Sequence, residues 1–156
     1  MRAKLHFSLI AFFVLFVAQA QKITENTLPG EWIPVGIIIP EDGTIINFEK
    51  NEVTLSDKMQ AKITETKGDA EEFKTYLLEG FAVYKDIFRV VIEPGIINRF
   101  EDGKTIGAPF TLIEKDGKQY LDIDGEMNYV YMQNGNLVMA PSAGQPGFFT
   151  IILKKQ

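Results

Sequence analysis

Tight-turn dipeptides recur at short intervals along this chain, and they constrain its fold more than any other feature. Asx-Gly pairs of this kind include Asp42-Gly43, Asp102-Gly103, Asp116-Gly117 and Asn134-Gly135. Both residue types tolerate the positive φ angles of two-residue hairpins. The segments around them are rich in Ile, Val, Phe, Tyr and Thr, which fit a pleated, partly buried sheet. This pattern predicts an all-β fold, and its sequential hairpins favour an antiparallel up-and-down β-barrel of about eight to ten strands.

The clearest hairpins lie between residues 110 and 140. Apolar and polar residues alternate on both sides of Asp116-Gly117, and two further strand-like segments flank Asn134-Gly135, which predicts a four-stranded meander. Only residues 69–74 are expected to hold a short helix, with Asp69 as its N-cap. Further strands are predicted at residues 32–39, 44–48, 52–55, 62–66, 73–79, 81–84, 88–93 and 148–153.

The start of the chain has the three parts of a secretory signal. Arg2 and Lys4 form a positive region, an apolar run covers residues 9–17, and Ala18-Gln19-Ala20 fits an A-x-A cleavage site. The apolar run is shorter than the roughly 20 residues of a spanning helix, so we expect cleavage and a secreted or periplasmic protein; an uncleaved anchor is the alternative. The expected organisation is a signal peptide over residues 1–20, a flexible segment over 21–29 and a single barrel domain over 30–156.

Cleavage would leave the protein without histidine or cysteine, because its one histidine is His6. A histidine general base, a thiolate nucleophile, an imidazole zinc site and a disulfide would then all be excluded. No G-x-S-x-G elbow or phosphate-binding glycine motif is present either. We therefore expect no enzyme, no catalytic residue and no cofactor.

The charge balance bears on possible partners. Removing Arg2 and Lys4 from 16 Lys+Arg leaves 14 against 21 Asp+Glu, a net charge of −7 for the mature chain. An acidic surface repels phosphate backbones and anionic lipid headgroups. We therefore expect no nucleic-acid partner and no membrane insertion after cleavage.

The segment Leu28-Pro29-Gly30-Glu31-Trp32 lies where the first predicted strand begins. Here the chain resembles the lipocalins and their calycin relatives, which include the fatty-acid-binding proteins and avidins. The resemblance implies that Gly30 and Trp32 close the narrow end of an antiparallel barrel, whose open end holds a small, usually apolar ligand. It also implies a basic residue of the last strand packed across the tryptophan. Lys154 and Lys155 occupy roughly that place, and we assign the structural role to Lys154.

Several strands are apolar on both faces, so either face could line a lumen. Met127, Tyr129 and Tyr131 share one face of a predicted strand and would suit an adaptable lumen. Arg89 could hold a ligand carboxylate with two hydrogen bonds if its face points inward; a solvated sheet face beside Glu93 is the alternative. We predict these residues, Arg89 with Met127, Tyr129 and Tyr131, as the ligand-binding set. A filled core without a cavity is the alternative for the interior.

Asp122, Asp124 and Glu126 form a D-x-D-x-E run that would share one face of a continuous strand. Clustered carboxylates can bind Ca²⁺ or act as an acid/base pair. Outward, solvated residues of an antiparallel strand explain the run as well, and we predict no metal site.

The pattern as a whole predicts a secreted or envelope lipocalin-like protein that binds a small apolar or amphipathic ligand in a barrel cavity. The alternative is a secreted β-domain with a filled core that acts through a protein partner. That alternative would be favoured if Ile37-Ile38-Ile39 and Ile96-Ile97 formed one exposed apolar patch.

Overall fold

A computed structural model describes residues 22–141 and 149–156, which hold ten strands and three helices. The strands are β1 Gly30–Ile38, β2 Ile45–Asn47, β3 Glu52–Thr54, β4 Val90–Glu93, β5 Ile96–Glu101, β6 Lys104–Lys115, β7 Lys118–Ile123, β8 Glu126–Gln133, β9 Asn136–Pro141 and β10 Thr150–Lys155. The helices are α1 Asp57–Glu65, α2 Ala70–Ala82 and α3 Tyr84–Ile87. The expected signal peptide and the start of the predicted last strand, residue 148, lie outside the described residues.

Eight strands close into a barrel. From β4 to β10 each strand pairs antiparallel with the next, and β1 closes the ring between β4 and β10. Residues 30–32 of β1 pair with β4, whereas residues 36–38 pair with β2, so the hairpin of β2 and β3 continues the sheet beyond the barrel. The register between β1 and β10 shifts between Pro34 and Gly36, where these two roles of β1 meet. The predicted antiparallel up-and-down barrel is therefore confirmed, with two extra strands.

The tight turns predicted in the second half of the chain are present. Both residues of Asp102-Gly103, Asp116-Gly117 and Asn134-Gly135 have positive φ angles, as two-residue hairpin turns require. Asp124-Gly125 adds another such turn, with φ angles of 53° and 86°, between β7 and β8. This turn divides the D-x-D-x-E run, because Asp122 lies before it on β7 and Glu126 lies after it on β8.

Three predicted strands, at residues 62–66, 73–79 and 81–84, are wrong, and these segments are helical. The helix start at Asp69 is confirmed, since its carboxylate accepts from the N–H groups of Glu71 and Glu72 at 2.8 and 3.1 Å, but the helix continues to Ala82. The helical period explains the error: Met59 and Ile63 on α1, and Phe73, Leu77 and Phe81 on α2, recur at helical spacing and pack into one cluster. No helix in the described part of the chain is long and apolar enough to cross a membrane.

The apolar side chains form two cores. One fills the barrel around Trp32, and the other lies between the helices and the hairpin of β2 and β3. The segment before β1, expected to be flexible, instead belongs to the barrel core: Ile23 and Leu28 are each 1% exposed. The side-chain amide of Gln119 accepts from the Ile23 N–H and donates to the Ile23 carbonyl, both at 2.8 Å. Residues 22–29 therefore cover one end of the barrel.

Candidate functional site

One end of the barrel is closed by interactions around Trp32. Its indole is 1% exposed and donates through Nε1–H to the Leu28 carbonyl at 2.7 Å. The Lys155 ammonium lies 5.6 Å from the centre of the indole ring and donates to the Thr27 carbonyl at 3.2 Å. Gly30 makes room for this lysine, since its φ is +136° and a Cβ there would lie 2.6 Å from Lys155 Cε. The absence of a side chain at Gly30 thus leaves space for Lys155, and Lys155 in turn covers the ring of Trp32.

The lysine over the indole is not the one assigned from the sequence. Side chains alternate along β10, and the buried Leu153 faces the core, so Lys155 faces inward and Lys154 outward. Lys154 Nζ instead pairs with Glu49 Oε1 at 2.7 Å on the outer face. The contact with the indole, assigned to Lys154 from the sequence, is therefore made by Lys155.

A cavity of about 340 Å³ lies at the other end of the barrel. This volume is at the small end of the roughly 300–1,000 Å³ range of small-molecule sites. The closed end is filled and this end is not. The interior is therefore a filled core at one end and a cavity at the other, which combines the two alternatives that the sequence left open. Inward-facing side chains of six strands line the cavity, together with the β7–β8 turn and residues of and beside α3: Ile87, Phe88, Val90, Ile97, Arg99, Ile123, Asp124, Glu126, Asn128, Met139, Ile151 and Leu153.

Aromatic contacts hold α3 across this open end. The Tyr84 ring is stacked on Phe88, with ring centres 5.2 Å apart, and lies 5.5 Å from Phe81 of α2. The Phe81 ring meets Phe149, just before β10, edge-on at 4.8 Å. Offset and edge-on pairs of this kind are favourable beyond the area that they bury. They place Ile87, which is 44% exposed, at the mouth of the cavity.

Arg99 is the one cationic side chain among the cavity-lining residues. It lies on β5 opposite Ile106 of β6, on the same face as the buried Ile97. Within residues 22–141 and 149–156 its guanidinium makes no hydrogen bond or ion pair. The other charged lining residues are Asp124, in the β7–β8 turn, and Glu126, the first residue of β8.

Arg89, the arginine predicted to bind a ligand, lies on the outer face of the barrel. It immediately precedes β4 and lies on the opposite face from the buried Val90. Its Nε pairs with Glu31 Oε1 at 2.7 Å, and its guanidinium lies 4.9 Å from the centre of the Phe100 ring. The solvated-face alternative describes its position, although the partner is Glu31 and not Glu93. The arginine of the lumen is Arg99.

Met127, Tyr129 and Tyr131 also lie outside the lumen. They alternate along β8 with Val130, which is 1% exposed and belongs to the barrel core. Tyr129 lies 5.2 Å from Tyr131 between ring centres, and burial together with the neighbouring Tyr129 raises the pKa of Tyr131. Any ligand binding by these three residues would therefore use the outer surface. The opposite face of the same strand, with Glu126 and Asn128, lines the cavity.

A second cavity, of about 410 Å³, lies between α1 and α2, outside the barrel. Its apolar walls include Met59, Ile63 and Phe73, and Tyr76 at its edge is 68% exposed. It is a groove on the surface of a helix pair, whereas the lumen cavity is surrounded by the closed sheet. We therefore take the lumen cavity as the candidate site.

Two other arrangements considered from the sequence are not formed. Ile37 and Ile97 are buried and Ile96 is 42% exposed, so the isoleucine runs do not make one exposed patch. In the part of the chain that the structure describes, no three acidic or histidine side chains are placed to hold a metal ion.

No protein-family model, curated protein or solved structure matches this chain. The class of the protein is therefore defined by its own architecture: a closed, antiparallel, eight-stranded β-barrel that is filled at one end and hollow at the other.

Proposed function

We propose that this protein is a lipocalin-like binding protein that holds a small apolar or amphipathic molecule in the open end of its barrel. The observation that carries the proposal is the apolar cavity at one end of an otherwise filled interior. Support also comes from the closed end, where a glycine, a tryptophan and a basic residue of the last strand meet as the lipocalin resemblance implies. The proposed role is binding without catalysis, in a protein exported by its N-terminal signal.

Burial of apolar surface would drive this binding. A ligand that loses about 300 Å² of apolar surface to the cavity gains about 7.5 kcal/mol. The lost freedom of the ligand offsets part of this gain, so apolar burial alone supports affinities no tighter than about micromolar. Polar contacts at the mouth would then decide which apolar molecules bind well.

A fluorescence titration with N-phenylnaphthylamine, an uncharged apolar fluorophore, tests the proposal. Saturable binding at one site per protein is expected. Ile151→Trp, which adds bulk inside the cavity, should weaken binding at least about tenfold, a loss of about 1.4 kcal/mol. Ile113→Trp is the matched control. The preceding residue, Leu112, packs against the barrel core, so Ile113 lies on the outer face of β6. Equal affinities for the two variants, or no saturable binding by the unmodified protein, would contradict the proposal.

A further inference from the structure

Arg99 is the cationic residue that lines the open end of the barrel. Its guanidinium is unpaired among the described residues, yet it lies on the core side of β5, beside the buried Ile97. Arg99 is an exposed residue, in keeping with its position at the open end of the barrel. Arg89, on the outside of the same barrel, pairs instead with Glu31 at 2.7 Å. The unpaired fork of Arg99 is therefore free to receive an anion.

We propose that the natural ligand is an amphipathic monoanion, with its apolar part in the cavity and a carboxylate on Arg99. The inference rests on the proposed binding function and adds the chemistry of the head group. Planar guanidinium and carboxylate groups form paired, parallel hydrogen bonds, which fixes the direction in which the ligand enters. The apolar part would then contact Ile97, Ile123 and Ile151 below the mouth.

The acidic residues of the mouth limit the charge that the ligand can carry. Asp124 follows the end of β7, two strands from β5 and so about 10 Å across the sheet, and Glu126 begins β8, three strands from β5 and so about 14 Å across it. The turn accounts for Asp124, whose φ of 53° suits an Asx residue. Both carboxylates are exposed, and they would repel negative charge on the ligand. A single anionic group is favoured only close to Arg99, where the attraction of the guanidinium exceeds the repulsion of the more distant carboxylates.

The experiment compares three probes with the same ten-carbon tail: decanoate, decanol and decyltrimethylammonium. Each displaces N-phenylnaphthylamine from the full-length mature protein, so binding of the fluorophore reports the cavity independently of the head group. We expect decanoate to bind most tightly and decyltrimethylammonium most weakly. This series on the unmodified protein does not depend on the folding of any variant.

Variants then assign the preference to Arg99. Arg99→Gln should weaken decanoate about tenfold, as expected for loss of a charge-assisted pair that is partly solvated, and should leave decanol unchanged. Arg89→Gln, at the outer arginine, is the matched control and should change neither. Glu126→Gln should strengthen decanoate a few-fold by removing a repulsive charge.

The outcomes separate this inference from the function on which it rests. If the fluorophore does not bind, the proposed function fails and the inference fails with it. If the fluorophore binds but decanoate binds no better than decanol, or Arg99→Gln weakens both probes equally, the anion proposal alone is overturned. Tightest binding of decyltrimethylammonium would assign the mouth to a cation, with Asp124 and Glu126 as its partners.

Discussion

The two ends of the barrel are built from the same strands and differ in how completely their side chains satisfy one another. At the closed end Trp32 is fully enclosed, its N–H is bonded, and Lys155 covers its ring. At the open end a cavity remains, and the guanidinium of Arg99 has no partner within the described residues. The closed end is therefore packed and hydrogen-bonded, whereas the open end keeps a cavity and an exposed cationic side chain.

Strand length explains part of the difference. The ladder between β6 and β7 stops at the pair Phe110 and Ile123, whereas the ladder between β5 and β6 continues to Glu101 and Lys104. The hairpin of β5 and β6 therefore extends past the β7–β8 turn. Ile106 lies on this extension. It pairs with β5 on one side, no residue of β7 pairs with it on the other, and it is 41% exposed. The wall of the open end is consequently uneven, and α3 spans only part of it.

Removing the largest side chain at each end should give the largest difference in stability. Trp32→Ala should lower the free energy of unfolding by about 4 kcal/mol, because it empties the centre of the closed end. Phe88→Ala, at the half-buried mouth, should cost about 2 kcal/mol or less. Denaturant unfolding with an unchanged m-value measures both. Equal losses would show that the two ends are packed alike.

Adding one methyl group tests the close approach at the closed end. Gly30→Ala places a Cβ 2.6 Å from Lys155 Cε in a backbone conformation unsuited to alanine, and should cost about 2 kcal/mol or more of stability. Gly125→Ala, in the open-end turn, has a positive φ but no atom within 4 Å of its Cβ, and should cost about 1 kcal/mol. Lys155→Ala should recover part of the loss in Gly30→Ala and none in Gly125→Ala. Additive effects in both cases would contradict the proposed contact.

A glycine in α2, the helix whose Phe81 packs on Tyr84 of α3, should give a smaller effect of opposite sign. Gly80 lies within α2, and a Cβ there would meet no atom within 4 Å. Gly80→Ala should stabilise the protein by about 0.5 to 1 kcal/mol, because alanine favours a helix over glycine by this amount. Gly80→Val should gain less, since β-branched residues are poorer helix formers. A thermal or denaturant midpoint that is higher for valine than for alanine would indicate a strand, as the sequence analysis predicted nearby.

The smallest effect is expected from Tyr131, on the outer face. Burial, followed by the neighbouring Tyr129, raises its pKa above the ordinary 10.0, so the folded state holds the phenol proton more tightly than the unfolded chain. This contribution to stability is fully present below pH 10.0 and is lost as the pH rises through the folded-state pKa. Tyr131→Phe should therefore unfold with a shallower alkaline loss of stability than the unmodified protein. Identical alkaline slopes would show that Tyr131 is not buried enough to matter.

The turns and the barrel could be predicted from the sequence because they depend on local chemistry. An Asp116-Gly117 pair between alternating segments determines a hairpin with few alternatives, and consecutive hairpins lead to a meander. The helices could not be recognised in the same way. Over five to seven residues, apolar spacing such as that of Phe73, Leu77 and Leu78 fits a strand as readily as a helix.

The lumen-facing side of each strand was the part that the sequence could not reveal. On β8 both Val130 and its neighbours Tyr129 and Tyr131 are apolar or aromatic, so hydrophobicity does not distinguish inside from outside. Barrel closure decides the question through pairings between residues far apart in the chain, such as Trp32 with Lys155. For the same reason the sequence does not distinguish Arg89 from Arg99, or Lys154 from Lys155, as the inward-facing residue. In each pair the residues lie on opposite faces of the sheet.

The isoleucine methyl groups give the most direct test of the claim that the open end is the binding site. Ile97, Ile123 and Ile151 line the cavity, Ile23 lies at the closed end, and Ile63 lines the helix groove. Titration of N-phenylnaphthylamine into methyl-labelled protein, followed by NMR, should shift the three cavity methyls and leave Ile23 and Ile63 in place. Shifts confined to Ile63 would place binding in the helix groove, and shifts at none of these methyls would contradict the account of the open end as a binding site.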